Sequence, residues 1–409
     1  MQHTEIVEIR GHIMDTGVLA RVLDDVLEYD GNYTIVQLDL GRHHHDESYA
    51  RIEIGAEDST VLQRIVMRLQ IHGVNLVDPG IATVRPAERD GVFPDDFYST
   101  TNLDTRVRVD GRWLTVQQPE MDCGLLVRDG TVRTIPVSDV RAGDPIVCGA
   151  SGVRVVLSEP TEEAGGFGFM SSEVSSEKPQ ALQVHLIAEQ MRQVRQAGRR
   201  ILWVGGPAIV HTGAAPAMTA LVRAGYVDVL FAGNALATHD IESALFGTSL
   251  GMDLAGGRGV PHGHEHHIRA INTIRRCGSI AVAVKDGVLT GGIMHALVET
   301  GKDFVLVGSV RDDGPLPDVY TDVIEGQRAM RAQLGGVGFC IVVATMLHGI
   351  ATGNILPAAI PLVCVDINPA TVTKLADRGS AHATGIVTDI GLFFEQLARE
   401  LVPSYGHAG

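Results

Sequence analysis

From residue 181 onward the chain repeats one pattern, a short apolar run followed by a segment of helical length. The runs are 201–204, 227–231, 304–307, 339–343, 362–365 and 385–387, and helices are expected between them, including 181–197, 214–224, 266–276 and 390–401. Runs that are apolar throughout, without polar alternation, belong to strands buried on both faces, as in a parallel sheet covered by helices. Residues 334–365 contain no Asp, Glu, Lys or Arg and are long enough to cross a bilayer. Gly335, Gly336, Gly338, His348, Gly349, Gly353, Asn354, Pro357 and Pro361 break that stretch into strand, helix and strand, so a buried βαβ unit is the better reading and no membrane partner is expected.

The first part of the chain has a different grammar. Strands are expected at 5–13, 33–40 and 49–54 and helices at 17–27 and 59–71, the second with Val61, Ile65, Val66 and Leu69 on one face. A short apolar run follows, completing the order of a ferredoxin-like α+β unit over 1–77. Between 78 and 157 the helical period disappears. Short runs at 106–109, 113–117, 124–127 and 145–156 are separated by turn signals, with Asp110-Gly111 and Asp129-Gly130 as hairpin pairs; a small β subdomain is expected. Residues 158–180 are rich in Gly and Ser and read as a linker between domains, with Phe167, Phe169 and Met170 as groups it could pack on closing. The fold class is thus α/β, with a C-terminal Rossmann-like sheet over 181–409, helices on both faces, and the two smaller units before it.

Charge and composition narrow the function. The 33 Lys plus Arg against 49 Asp plus Glu give a net charge of −16, a field that repels polyanions and argues against nucleic acid. Five widely spaced cysteines with no CxxC pair support neither a disulfide framework nor a cysteine-built zinc site. The opening residues lack the order of a secretory signal, so a cytoplasmic setting is expected. The four lysines, Lys178, Lys285, Lys302 and Lys374, occupy turn-like, linker or exposed helical contexts, which disfavours Schiff-base chemistry. Cys123 reads first as a buried thiol and second as a nucleophile.

In an open parallel sheet ligands bind beyond the carboxyl ends of the strands. Those ends are polar and glycine-rich here: Gly205-Gly206-Pro207 with His211-Thr212-Gly213, Gly233-Asn234-Ala235, Arg311-Asp312-Asp313-Gly314, Thr345-Met346-Leu347-His348, Asp366-Ile367-Asn368 and Thr388-Asp389-Ile390. Glycine admits a phosphate to the backbone, and a following helix supplies free N–H groups. Any one such turn is ordinary; six together favour a nucleotide-like cofactor, although no GxGxxG follows the first strand. Asp366 suits ribose hydroxyls, or equally a helix cap before Pro369. The cluster from His262 to His267 opens a helix and is open to three readings: metal ligation, proton handling, or a solvated helix start.

Taken in order, these segments resemble the ornithine cyclodeaminase module of the AgrE and ArgZ type, also described as the conserved region of LOR/SDH proteins. The resemblance rests on FYSTTN at 97–102, EMDC at 120–123, FMSSEVSSEKP at 169–179, GPAIVHTGA at 206–214, AGNALATHDIE at 232–242, RDDGPLPDV at 311–319, ATMLHGIATGN at 344–354, CVDINP at 364–369 and TDIG at 388–391, with a related start at 8–13. It implies an NAD-dependent lyase that converts L-ornithine to L-proline and ammonia. Carried over motif by motif, the cofactor contacts fall on Asn234, Ala235, Asp312, Thr345, Met346, Leu347, His348, Asp366, Asp389 and Ile390. No metal is implied. His264 and His267 with Asp312 are the expected proton-handling groups, and Arg311 the expected partner of the substrate carboxylate. The family's histidine pattern is met by His264, His266 and His267, with His262 an addition, and a homo-oligomer is expected. No arginine dihydrolase domain precedes the first unit, so ornithine is expected to come from elsewhere. Two alternatives remain open at this point: another NAD-dependent amino- or imino-acid oxidoreductase, and a non-catalytic sensor of NAD and an amino acid.

Overall fold

A computed structural model describes residues 3–11, 13, 17–43, 46–156, 180–249, 252–253, 265–312, 314–378 and 383–406 of the 409. They divide into two compact units, one holding the chain up to Val156 together with Ile355–Ala359, the other holding the rest. The expected linker at 158–180 lies outside the described residues except for Gln180, which opens a helix.

The first unit begins with β1 (His3–Gly11), α1 (Val18–Glu28), β2 (Asn32–Asp39), β3 (Ser48–Ala56), α2 (Ser59–Gln70) and β4 (Asn75–Leu76). The antiparallel sheet order is β2-β3-β1-β4, the ferredoxin-like arrangement that the element order foretold. Alternation on β1 and β3 turns Val7, Ile9, Ile52 and Ile54 inward, where Val22, Val26, Leu62, Ile65, Val66 and Leu69 of the two helices cover them. The Asp58 carboxylate caps α2 by accepting the Thr60 N–H at 2.6 Å.

Next come β5 (Thr83–Pro86), β6 (Asp104–Val109), β7 (Arg112–Gln117), β8 (Gly124–Arg128), β9 (Thr131–Ile135), β10 (Pro145–Cys148) and β11 (Val153–Val156), in the sheet order β11-β6-β7-β9-β8-β10-β5. Both Asp-Gly pairs turn hairpins with positive φ at each residue, 48° and 77° at Asp110-Gly111 and 53° and 69° at Asp129-Gly130, the geometry that matches strand twist. The expected single run at 145–156 is two strands, because Gly149 and Gly152 both take left-handed backbone. Asn102 ties residues 355–359 into this unit: its amide donates to the Leu356 carbonyl at 3.3 Å and its own carbonyl accepts the Ala358 N–H at 2.8 Å.

The second unit contains α3 (Gln180–Gln196), β12 (Arg200–Gly205), α4 (Ala208–His211), α5 (Ala215–Arg223), β13 (Val229–Gly233), α6 (Asn234–Phe246), β14 (Thr248–Ser249), β15 (Met252–Asp253), α7 (His266–Cys277), α8 (Ile280–Lys285) and α9 (Ile293–Glu299). It continues with β16 (Asp303–Val307), β17 (Val319–Tyr320), α10 (Val323–Ala332), β18 (Val337–Val343), α11 (Leu347–Ile355), β19 (Leu362–Asp366), α12 (Pro369–Arg378), β20 (Ala383–Val387) and α13 (Ile390–Leu401). The sheet is wholly parallel, ordered β17-β16-β13-β12-β18-β19-β20. Omitting the two-residue β17, this is the 3-2-1-4-5-6 order of a doubly wound Rossmann sheet, which reverses direction between β12 and β18. Trp203 is fully buried, stacks on Phe394 with centroids 5.5 Å apart and donates to the Tyr226 carbonyl at 2.9 Å. β13 starts two residues later than the hydropathy suggests because Asp228 is engaged elsewhere: its carboxylate accepts the Ile201 N–H at 2.9 Å and pairs with Lys302 at 2.6 Å.

Candidate functional site

The sheet's reversal point is formed by backbone approaching backbone. A Cβ on Gly206 would lie 2.7 Å from the Ala344 carbonyl carbon and nearer still to its oxygen. Gly206 N–H donates to the Val343 carbonyl at 2.9 Å, and the Ala344 N–H reaches across to the Val365 carbonyl at 3.0 Å. Ala344 takes φ 51°, left-handed for a residue with a side chain, a strained conformation of the kind that gathers at ligand sites. Thr345 and His348 after it are partly buried, while Met346 and Leu347 are exposed.

His348, on the first turn of α11, lays its ring against Gly233 at the end of β13, with Cε1 3.3 Å from where a Cβ would stand. Burial holds its pKa below the usual histidine value, opposed by a hydrogen bond with the Val307 carbonyl and by the nearby Asp312 carboxylate. The ends of β13, β16 and β18 therefore meet at this imidazole. Asp312 accepts the Ser309 N–H at 2.7 Å, while Arg311 is exposed. Asn234 is buried and its Oδ1 accepts the Leu316 N–H at 3.0 Å, tying the start of α6 to the 311–319 loop beside the partly buried Ala235.

At the end of β19, Asp366 is 9% exposed and accepts the Asn368 N–H at 2.8 Å; Asn368, not Asp366, bonds the Ala370 N–H on the first turn of α12. The cap reading of Asp366 thus passes to Asn368. Asp389 caps α13 by accepting the Leu392 N–H at 2.8 Å, and Ile390 is buried beneath it. Among the proposed cofactor contacts, the structure brings Asn234, Asp312 and His348 to one end of the sheet, with Asp366 and Asp389 following β19 and β20.

His264 lies outside the described residues. His267 is partly buried at the start of α7, and His266 beside it bonds Thr248 at 2.8 Å. Among the described residues no three His, Cys, Asp or Glu side chains are placed to hold a metal ion. In the first unit Cys123 is a buried thiol donating to Glu120 Oε1 at 2.7 Å, and Thr100 links FYSTTN to EMDC by donating to the Glu120 carbonyl at 2.6 Å and accepting the Cys123 N–H at 3.0 Å. His239 and Glu242 on α6 lie outside the expected site residues; their i, i+3 spacing was the available signal.

A doubly wound sheet whose strand ends converge on buried polar groups at its reversal point defines a dinucleotide-binding enzyme of the Rossmann class. The comparisons narrow the class. Residues 185–397 match the arginine dihydrolase ArgZ-like C-terminal Rossmann fold, residues 104–184 the ArgZ-like C-terminal first region, and residues 4–103 the LOR/SDH bifunctional enzyme conserved region. The chain belongs to this ArgZ-like, LOR/SDH family. It is 50% identical over 402 residues to a protein of Methanothermobacter thermautotrophicus named ornithine cyclodeaminase, covering 98% of each chain. It is similar to the crystal structure of apo ArgZ, an arginine dihydrolase from the ornithine-ammonia cycle in cyanobacteria, with TM-score 0.85, 35% identity, and coverage of 98% of this chain and 58% of that one. It also resembles the ternary complex of AgrE with ornithine and NAD+, with TM-score 0.54, 37% identity, and coverage of 99% and 58%.

Proposed function

We propose that the protein is an NAD-dependent ornithine cyclodeaminase, converting L-ornithine to L-proline and ammonia. The observation that carries this reading is the convergence of Gly233, Asp312 and His348 at the Rossmann reversal point, in a chain 50% identical to a named ornithine cyclodeaminase over nearly its full length.

The strand ends fit the cofactor. Asp366 presents a mostly buried carboxylate with, among the described residues, one oxygen spent on the backbone, suited to paired ribose hydroxyls. The loop from Thr345 to His348 lets the start of α11 face phosphates. Asn234, Ala235 and Asp312 would line the nicotinamide half, with Asp389 and Ile390 closing the other side. Bound NAD supplies a hydride acceptor for Cα that gives the hydride back after ring closure, so no net oxidation results.

The chain's own residues must position Cα and manage protons. Arg311 is the candidate partner of the substrate carboxylate, and His264, His267 and Asp312 are candidates for proton transfer. His348 is held neutral by burial and serves as an uncharged hydrogen-bonding wall beside the cofactor.

The setting follows from the rest of the surface. The five cysteines are free and four of them buried, which suits a reducing cytoplasm. Among the described residues no helix is long and apolar enough to cross a membrane. Edge strand β2 exposes Ile35, Val36 and Leu38, with Leu40 just beyond, an edge that invites pairing in a homo-oligomer.

The test is incubation of the purified protein with NAD and L-ornithine, following proline and ammonia by mass spectrometry and NADH by absorbance. Equimolar proline and ammonia without bulk NADH is the expected result. Accumulating NADH would assign an amino-acid dehydrogenase instead, and binding of both ligands without turnover would assign a sensor.

A further inference from the structure

A chain of buried polar groups runs beside the strand ends and is used by none of the roles above. Glu242 on α6 is fully buried. Its Oε2 accepts from His239 Nδ1 at 2.8 Å and its Oε1 accepts the Thr248 hydroxyl at 3.0 Å. Thr248 has spent its only proton on the carboxylate, so it accepts from His266 Nδ1 at 2.8 Å. The His239 ring meets the His211 ring edge-on with centroids 4.7 Å apart, and His211 Nδ1 lies 2.7 Å from Ser249 Oγ. In the neutral state His239 carries its proton on Nδ1, and the basic lone pair is on Nε2, the tautomer a carboxylate imposes on a general base.

The place of this chain in the fold matters as much as its chemistry. α4 leaves the sheet directly after Gly206-Pro207, and α6 directly after Gly233. The Thr212 carbonyl, next to His211, is 3.2 Å from the position of a Cβ on Gly391, beside Asp389. Both imidazoles therefore belong to the connections leaving the carboxyl ends of β12 and β13, where a doubly wound sheet holds its ligand.

The proton balance of the reaction asks for such a pair. Ornithine enters with two ammonium groups. The α-nitrogen sheds one proton before hydride leaves Cα, and the δ-nitrogen sheds one before its lone pair bonds to Cα. A proton then passes from the ring nitrogen to the α-nitrogen, the Cα–N bond to the α-nitrogen breaks with its electron pair going to ammonia, the hydride returns to Cα of the cyclic imine, and two protons return, one to ammonia and one to the pyrrolidine nitrogen. No proton is gained or lost overall, so groups that hold protons and give them back are sufficient.

We propose that His211 and His239 hold and return protons in this reaction alongside the candidates named above, with Glu242 as the positioning residue that fixes the His239 tautomer; the proposal rests on the cyclodeaminase reading. His211 is held below the ordinary histidine range by burial first and by His239 second, against the pull of Glu242, and so meets the substrate as a neutral acceptor. Among the described residues the charged and titratable groups around the pair are Glu242 on α6, His266 on α7 and Asp389 at the start of α13, which packs against α4; Asp240 on α6 is turned to the N–H groups of Ile293 and Met294.

The test measures turnover of L-ornithine from pH 6 to 9, NAD binding, and imidazole nitrogen NMR in wild type, His239→Asn, His211→Asn and Glu242→Gln. Asn at 239 retains a donor to Glu242 but cannot carry a proton. The expected results are a fall in kcat of about 100-fold or more in the histidine variants, with NAD affinity within about threefold of wild type and the acid limb of the pH profile lost. In Glu242→Gln the acid limb moves to lower pH and the His239 Nδ1–H signal shifts upfield. Histidine variants with wild-type kcat and an unchanged pH profile overturn the proposal, even where Glu242→Gln fails to fold. A wild-type protein that makes no proline overturns the cyclodeaminase reading and this proposal together, whereas active wild type with unaffected variants overturns the relay alone.

Discussion

Replacing Gly206 by alanine tests whether the reversal point of the sheet is the cofactor seat. The new methyl would stand 2.7 Å from the Ala344 carbonyl carbon, against an optimal carbon–carbon separation of about 3.5 Å. The carbonyl oxygen lies nearer still, so the two loops must part by more than about 0.8 Å. Both are backbone anchored to central strands, Gly206 through the Val343 carbonyl and Ala344 through the Val365 carbonyl, so the strain cannot be relieved by rotating a side chain. Overpacking of this kind costs about 1–3 kcal/mol. If the parting occurs where NAD sits, an equal loss appears in binding, about 5- to 150-fold in Kd. Isothermal titration with NAD, alongside denaturant unfolding of the NAD-free protein, separates the two effects. Gly198→Ala is the control: Gly198 has φ 68° with nothing within 4 Å of the added methyl, so it should lose about 1–2 kcal/mol of stability and no NAD affinity. Gly206→Ala binding NAD within twofold of wild type would refute the placement of the cofactor between β12 and β18.

Three other outcomes follow from particular contacts. Asp366→Asn preserves an acceptor for the Asn368 N–H and should leave unfolding unchanged while weakening NAD binding about tenfold, the loss of one charge-assisted hydrogen bond; unchanged affinity by titration would remove Asp366 from the ribose. Asp240 is buried and its pKa is pushed up to about 6 by desolvation, against the N–H groups of Ile293 and Met294, whereas in the unfolded chain it titrates near about 3.9. The folded state thus holds a proton that the unfolded state releases, so stability from this group is full below about pH 4 and is lost as pH rises through 6, by up to about 3 kcal/mol; urea unfolding at pH 5 and 7 should show this component in wild type and lack it in Asp240→Asn. Trp203→Phe leaves the Tyr226 carbonyl unpaired and opens space against Phe394, and should cost about 2–3 kcal/mol by denaturant unfolding, with little effect on turnover.

What the sequence determined by itself was pattern and chemistry. Six short apolar runs, only that at 227–231 broken by a charged residue, required strands covered on both faces, and the Asp-Gly pairs required tight hairpins, because hydrophobic periodicity and backbone φ are local properties of the residues that carry them. The polar strand ends were legible for the same reason: glycine, carboxylate and amide residues directly after apolar runs mark where a parallel sheet receives ligands. Even the break between β10 and β11 lay in plain view at Gly149 and Gly152, although the apolar residues on either side masked it.

Only the tertiary structure decided which of those ends meet. The strand order that sets β12 beside β18 comes from crossovers through helices, and no local signal told Gly206 that its neighbour would be Ala344, 138 residues away. Nor did spacing reveal that His348 rests on Gly233, or that Asn368 takes the cap in place of Asp366. The contact between His211 and His239 is of the same kind. Each histidine sits in an ordinary helical context, and the pair exists because α4 and α6 leave adjacent strands of the sheet and cross above a carboxylate that is buried from water. Long-range pairing is a property of how the whole chain closes on itself, and the chemistry of this site resides in those closures.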